Sequence, residues 1–428
     1  MPAGRPARRG PAWEGARALR RERSKTLLVV TGWPAQICRE RCGSGLARAT
    51  VQVYIDRARI LEVAMNASSP ACVLAPLAAL CAMMGAASAG APPDAIFANG
   101  HESLPIIAPA NTWTFVPIAG TRCGNNSGTG IGINPSSSGG ARVLLLLSGG
   151  GACWDTLTCI TLQTASNFNG GYGPAQFAND LPSLGSGALD RSSPTNPFRD
   201  FHYVFVPYCT GDLHFGSTPS IDYGGNERSH LGYHNLNAIV DRVIATFPNP
   251  GRVVLGGISA GGFGAALNWT RFQRLYGSVR VDMIDDSGQF MPAAIVPPAS
   301  ASEQARFASW NLASTLPADC SACFGGGLDN IYSHNANALP GNRGALLSFR
   351  PDPTIASFFQ ISTSSFTTGL NTMLTTRWDP FPNRHYFISG NSGHVLANNL
   401  ALSVNGVSLE TFLTRMVNDD PNWANVTP

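Results

Sequence analysis

Gly257-Ile258-Ser259-Ala260-Gly261 is the run of residues with the most definite chemistry in this chain. It fits the pattern Gly-x-Ser-x-Gly, in which a serine sits on a sharp strand-to-helix turn with its hydroxyl held clear of the backbone. The turn is crowded, so the glycines two places away on either side allow close approach, and Gly262 lets the entering helix lie near the sheet. A helix start also presents unpaired backbone N–H groups to negative charge as it develops. A bare match is equally a Gly/Ser turn without chemistry; the strand pattern before Ser259 and the helical pattern after it favour the nucleophile. A serine hydroxyl is weak until a base takes its proton, so Ser259 needs a histidine, and the histidine needs an acid.

Three histidines follow the serine: His334, His385 and His394. On this kind of turn the chain order is serine, acid, histidine. His394 lies in Gly390-Asn391-Ser392-Gly393-His394, a small polar loop directly after an apolar run, and is the expected base. His385 lies inside that run and is expected to pack, while His334 comes before the acid. The acid is expected at Asp352, just past the apolar run 345–349. Asp285 and Asp286, just past the run 279–284, are its rivals, and Asp329 and Asp379 read as surface or capping carboxylates. An imidazole base must be neutral to act, so hydrolysis is expected to fall on acidification. Negative charge on the attacked carbonyl oxygen needs N–H donors aimed at one point. Ala260, next to the nucleophile, supplies one, and Gly149-Gly150-Gly151, after an earlier strand, can turn others inward because no Cβ is in the way. Alone the glycine triplet reads as a plain tight turn; beside Ser259 it reads as an oxyanion hole.

These residues need a scaffold, and the rest of the sequence predicts one. Short β-branched or aromatic runs at 142–147, 202–206, 252–255, 279–284, 345–349 and 385–388 are bounded by Gly, Pro, Asn or Asp, and helical patterns cover 234–246 and 262–276. Continuous apolar runs fit strands buried on both faces, and their alternation with helices predicts an α/β fold with a mostly parallel sheet. One domain is expected from residue 94 to 428. Within it, 292–338 is rich in Pro, Ala and Gly and is a candidate lid or pocket wall. Trp154, Tyr208, Phe215 and Trp269 are expected in the core, with sugar stacking as the alternative.

The chain has 428 residues and a formal net charge of +3. Residues 1–64 carry thirteen Lys+Arg against five Asp+Glu, whereas 65–428 carry sixteen Arg, no Lys and twenty-one Asp+Glu. The body is therefore mildly acidic and lacks the basic stripe that would neutralise phosphates, which argues against nucleic-acid binding. The apolar run 71–89 ends in Ala87-Ser88-Ala89, a small-x-small signature of signal-peptide cleavage. The expected organisation is a basic extension over 1–64, with Met65 offering a second start, a signal segment over 65–89, and the catalytic domain. The alternative is an uncleaved anchor over 71–89, the only case in which a membrane is a partner. Six cysteines lie beyond that run, an even number suited to an oxidising compartment. Cys153 with Cys159 and Cys320 with Cys323 are local candidates, which leaves Cys123 with Cys209. Free thiols, or a zinc site at Cys320-Ser-Ala-Cys323, are the alternatives. A secreted or periplasmic location is expected.

Taken together, Gly149-Gly-Gly-Ala-Cys-Trp154, Val206-Pro-Tyr-Cys-Thr-Gly-Asp212, Gly257-Ile-Ser-Ala-Gly-Gly262, Asp286-Ser-Gly288 and Asn391-Ser-Gly-His394 resemble the pectin acetylesterase family. The resemblance implies an α/β-hydrolase fold and a Ser259–Asp352–His394 triad. It also implies an oxyanion hole from Gly150, Gly151 and Ala260, with neither cofactor nor metal. Cys153 with Cys159, and Cys123 with Cys209, look like family disulfides, and Asp212 and Asp286 match positions that hold loops. The chain departs from the pattern at Ala152, where plant members carry an aromatic, and at Ile258, where a cysteine is common. The expected activity is a secreted serine carboxylesterase, deacetylating an esterified polysaccharide or another short-acyl ester. The rivals are a lipase or polyester depolymerase with the same triad, and a catalytically silent carbohydrate-binding protein on a hydrolase scaffold.

Overall fold

In a computed structural model the alternating apolar runs become one eight-stranded sheet. The structure describes residues 104–428, apart from 140 and 326, and the backbone of three strands nearer the N-terminus. The chain divides into two units, residues 1–101 and 102–428. In the first, β1 (Leu27–Val29), β2 (Arg48–Tyr54) and β3 (Ile60–Asn66) pair antiparallel in chain order. No element was expected there. The polar–apolar alternation in Thr50-Val-Gln-Val53 is only a few residues long and lies among arginines, too short a signal to stand out. The apolar run 71–89, and with it the expected signal cleavage, lies outside the described residues. Among the described residues no helix is long and apolar enough to cross a membrane.

The second unit carries β4 (Thr114–Pro117), β5 (Gly130–Asn134), β6 (Arg142–Leu147), β7 (His202–Val206), β8 (Thr218–Asp222), β9 (Glu227–His230), β10 (Arg252–Ile258), β11 (Val281–Asp286), β12 (Gly344–Phe349) and β13 (Arg384–Ser389). The sheet order is β13-β12-β11-β10-β6-β7-β5-β4. Its pairs are parallel from β13 to β7 and antiparallel at β7–β5 and β5–β4. β8 and β9 form a separate hairpin. With helices on both faces this is the α/β-hydrolase fold.

Side chains alternate across each central strand, and both faces are covered. Val143, Leu145, Leu147, Val253 and Leu255 pack with helices Gly232–Thr246 and Ala260–Tyr276. Leu144, Leu146, Val254, Ala345 and Leu347 pack on the other side with helix Leu409–Val417. That last helix shows why it buries one face: Leu409, Phe412, Leu413 and Met416 fall one turn apart, and Ser408 caps its start by accepting from Thr411 N at 3.1 Å.

The register sets up the site. Leu147, Gly257, Asp285, Leu346 and Tyr386 lie side by side across β6, β10, β11, β12 and β13. The segments that leave the carboxyl ends of these five strands therefore emerge along one edge. They hold the Gly149–Gly151 loop, Ser259, Asp286–Ser287, Asp352 and His394.

Candidate active site

Ser259 sits between β10 and helix Ala260–Tyr276 with φ 56° and ψ −119°. That left-handed backbone is strained for a residue with a Cβ. Three hydrogen bonds pin it: Ser259 N donates to Asp286 O at 2.7 Å, and Gly262 N and Phe263 N donate to Ser259 O at 2.8 and 3.3 Å. The small flanks are obligatory. A Cβ on Gly257 would lie 1.8 Å from Gly261 O, and one on Gly261 would lie 2.0 Å from Leu147 O. The strand runs on through Gly256 and Gly257 to Ile258 and the helix begins at Ala260, so the turn is tighter than the sequence reading of a strand ending at 255 and a helix beginning at 262.

The glycine triplet faces this turn; a Cβ on Gly149 would lie 2.9 Å from Ser259 Cβ. Gly150 O accepts from Ser166 N at 2.7 Å. Across that planar peptide the Gly151 N–H must then point the opposite way, away from Ser166. Gly151 has φ 73°, and a Cβ there would meet Thr164 O at 2.1 Å, so only glycine fits. Behind the loop stands buried Tyr208, whose carbonyl accepts from Asn167 Nδ2 and whose hydroxyl accepts from Leu213 N. His214 packs on Tyr208 and lies 2.8 Å from Ser148 O through Nε2. Burial pushes this imidazole down to about 4, so it stays neutral. The sequence reading assigned no part to His214.

His394 follows β13, its side chain about one-fifth exposed, with Nδ1 2.8 Å from Oδ2 of fully buried Asp352. Opposite a carboxylate Nδ1 carries the proton, which leaves Nε2 as the basic nitrogen of the neutral ring. Asp352 Oδ1 is taken by Thr354 N and Ile355 N at the start of helix Pro353–Phe358. One oxygen thus fixes the carboxylate to the backbone and the other meets the imidazole.

The rival acids lie elsewhere. Asp285 accepts from Gly288 N and from Tyr332 OH, both at 2.8 Å. Asp286 accepts from Leu396 N and Ala397 N and from the Ser287 hydroxyl. Burial raises both, to about 7 and about 6. Asp329, expected as a surface or capping carboxylate, stands at the N-cap position of helix Asn330–Ala338 without a side-chain cap bond, and is buried against Arg377, which donates to it at 2.8 Å. Its partner lies 48 residues downstream, beyond any local signal. Asp379 is exposed and accepts from Tyr386 OH. His385 packs on Trp423, and His334 lies 3.7 Å from Asp319. Trp154, Tyr208, Phe215 and Trp269 are all buried core residues. Segment 292–338, apart from residue 326, holds helices Ala301–Ser309, Ser321–Gly325 and Asn330–Ala338 and contributes buried Trp310 and Tyr332 to the core. The six cysteines pair as Cys123–Cys209, Cys153–Cys159 and Cys320–Cys323, so these six are not free thiols and Cys320 and Cys323 are bonded to each other. Cys153, Cys159 and His230 lie close together, but both His230 nitrogens have partners, Thr210 O and Tyr223 OH.

The raised Asp285 makes a measurable statement about stability. Its native value near 7 against an ordinary 3.8 means that the native state binds a proton in that window and the unfolded state does not. Its contribution is therefore full below pH ~4 and lost as pH rises through ~7. Wild type is expected to gain thermal stability relative to Asp285→Asn as pH falls from 8 to about 4.5, read from paired melts at each pH.

A family model described as pectinacetylesterase matches residues 110–324, half of the chain and the part that holds the glycine loop and Ser259. The chain belongs to the pectinacetylesterase family. Among curated proteins it is similar to the palmitoleoyl-protein carboxylesterase NOTUM of Mus musculus, 29% identical over 178 residues, which are 40% of this chain and 34% of that protein. It is also similar to pectin acetylesterase 11 of Arabidopsis thaliana, 26% identical over 169 residues, covering 39% of this chain and 40% of that one. The chain thus spans about a third to two-fifths of the length of these curated relatives. Among solved structures, the Wnt deacylase Notum from Drosophila superposes with a TM-score of 0.55 at 19% identity, covering 74% of this chain and 95% of that chain. That likeness supports the fold.

Proposed function

We propose that this chain is a secreted serine carboxylesterase with Ser259 as nucleophile, His394 as base and Asp352 as the acid that orients it. The observation that carries the reading is the buried Asp352 carboxylate on His394 Nδ1, on strand-end segments that emerge along the same edge as the strained Ser259 turn. His394 Nε2 takes the Ser259 proton as the hydroxyl oxygen attacks the ester carbonyl. The N–H groups of Gly150, Gly151 and Ala260 hold the resulting oxyanion. His394 then protonates the leaving alcohol, and water releases the acyl group by the same path. Three disulfides fit an oxidising compartment, which supports export.

Short acyl groups, acetyl above all, are the proposed donors, with an acetylated polysaccharide as the proposed carrier. The support is Arg306. Its guanidinium is buried among aromatic rings, 4.7 Å from the Trp154 ring centre and 4.5 Å from that of Phe358, and pairs with Glu303 at 2.5 Å. Trp154 lies three residues past Gly151, and Phe358 ends the helix that Asp352 caps. Phe263, one helical turn from Ser259, meets Phe290 edge to face and Phe358 at a tilt in the same cluster. A long aliphatic chain entering these rings would have to displace a paired charge. The names of the animal relatives favour the second reading, a long-chain deacylase.

A series of p-nitrophenyl esters from acetyl to palmitoyl separates the two. Wild type is expected to favour acetyl. Glu303→Gln with Arg306→Leu, which removes the charged pair together, is expected to raise octanoyl over acetyl kcat/KM by ~10-fold or more. A wild-type preference for palmitoyl would sink the short-acyl reading. Failure of wild type to take a fluorophosphonate label at Ser259 would favour the silent carbohydrate-binding protein instead.

A further inference from the structure

We propose that Asp286 and Ser287 are positioning residues that hold His394 at working distance from Ser259, by clamping the three residues that follow it. The inference rests on the reading of Ser259 and His394 as nucleophile and base. Leu396 N donates to both Asp286 oxygens at 2.9 Å, and Ala397 N donates to Oδ2 at 2.7 Å. Val395 N donates to Ser287 Oγ at 3.2 Å, and that hydroxyl in turn donates to Asp286 Oδ1 at 3.1 Å. Three successive N–H groups are thus gathered onto one carboxylate and the hydroxyl beside it. Such a concave row of amides is an anion cradle, here filled from within the chain.

The row exists only because Val395 adopts φ 62°. For a β-branched residue this is a genuine outlier that persists only when its surroundings impose it. The clamp imposes it, and the residue immediately before the outlier is His394. Ser287 is itself left-handed at φ 60°, fixed by its N–H to Leu347 O on the next strand. The main-chain oxygen of Asp286 accepts from Ser259 N. One residue at the end of β11 therefore ties the nucleophile's turn through its backbone and the base's loop through its side chain. The hydrogen bond to the imidazole comes from Asp352, whereas Asp286 is bonded to the loop and acts on the His394 ring only through space.

Asparagine is the decisive replacement. It keeps the shape but turns an N–H₂ toward an N–H that now meets a carboxylate oxygen. Asp286→Asn in the full chain is expected to lower kcat on p-nitrophenyl acetate by ~100-fold, with KM held within about twofold, the pattern of a displaced base rather than a lost binding surface. Ser287→Ala removes one bond to the loop and is expected to lower kcat ~10-fold. Val395→Gly makes the left-handed backbone accessible without the clamp. Placed on Asp286→Asn, it is expected to recover kcat ~10-fold, which a general loss of packing would not allow. Unchanged kcat in Asp286→Asn, or no recovery in the double variant, overturns the proposal. If Asp286→Asn does not fold, an unchanged kcat in Ser287→Ala overturns it equally. His394→Ala is run alongside. A fully active His394→Ala overturns the base assignment itself, whereas an inactive one beside a fully active Asp286→Asn overturns only the clamp.

Discussion

Ser259→Ala is expected to hydrolyse p-nitrophenyl acetate about 10⁴- to 10⁶-fold more slowly than wild type, and to take no fluorophosphonate label. The size follows from what is removed. On the proposed mechanism no acyl-enzyme forms without the hydroxyl, and only water held near the proposed oxyanion donors is left to react; such a residual path still exceeds the uncatalysed one, so the rate is not expected to fall to zero. The fold should survive. Ser259 is only partly buried, alanine has no greater quarrel with φ 56° than serine, and the bonds that pin the turn come from its backbone. A melting temperature close to wild type is therefore part of the expectation. His394→Ala should cost a similar factor, and the double variant little more, because groups that act as a unit are not additive. Full hydrolysis by Ser259→Ala would remove the nucleophile and every step built on it.

The elements that place these residues were legible where burial on both faces leaves a continuous apolar run. β6 and β7 match the sequence expectation residue for residue. β10 was read short because Gly256 and Gly257 look like turn residues. They are strand residues, and Gly257 is glycine because the helix start packs on it. The edge strand β4 and its neighbour β5 are not legible in the sequence: Thr114–Pro117 ends in proline, and Gly130–Asn134 contains two glycines, both weak strand signals.

The candidate site was legible in its order along the chain but not in its pairings. Asp285, Asp286 and Asp352 all stand at or just past strand ends, so spacing alone leaves three acids. Contacts separate them: Asp352 with the imidazole, Asp285 with Tyr332, Asp286 with the loop after His394. Arg306 shows the same limit. Three residues past Glu303 on a helix, it reads as an ordinary surface pair, and only the convergence of Trp154 and Phe358 makes it buried. Long-range partners decide the meaning of a charge, and local sequence does not record them.

The largest effect expected on stability comes from Cys123–Cys209, which bridges 86 residues. In the chain-entropy account a loop of that length is worth ~4–5 kcal/mol, against ~2 kcal/mol for the Cys153–Cys159 loop and less for Cys320–Cys323. Set against a usual total of about 5–15 kcal/mol, the loss is severe. Cys123→Ala with Cys209→Ala is therefore expected to lower the urea midpoint far more than either local pair removed in the same way. The bond also reaches the site. Cys209 follows Tyr208, the residue that backs Gly150, and its carbonyl accepts from Gly124 N at 2.8 Å. Ser229 N in turn donates to Gly124 O, which ties the 123–127 turn to β9. With the disulfide gone, Tyr208 keeps its own bonds from Asn167 and Leu213. The folded fraction at low temperature should therefore retain hydrolysis, and activity should disappear along the same urea curve as structure. Activity lost well before structure would show instead that the disulfide holds the glycine loop directly. A midpoint unchanged from wild type would mean that the turn at 123–127 is held by its hydrogen bonds alone.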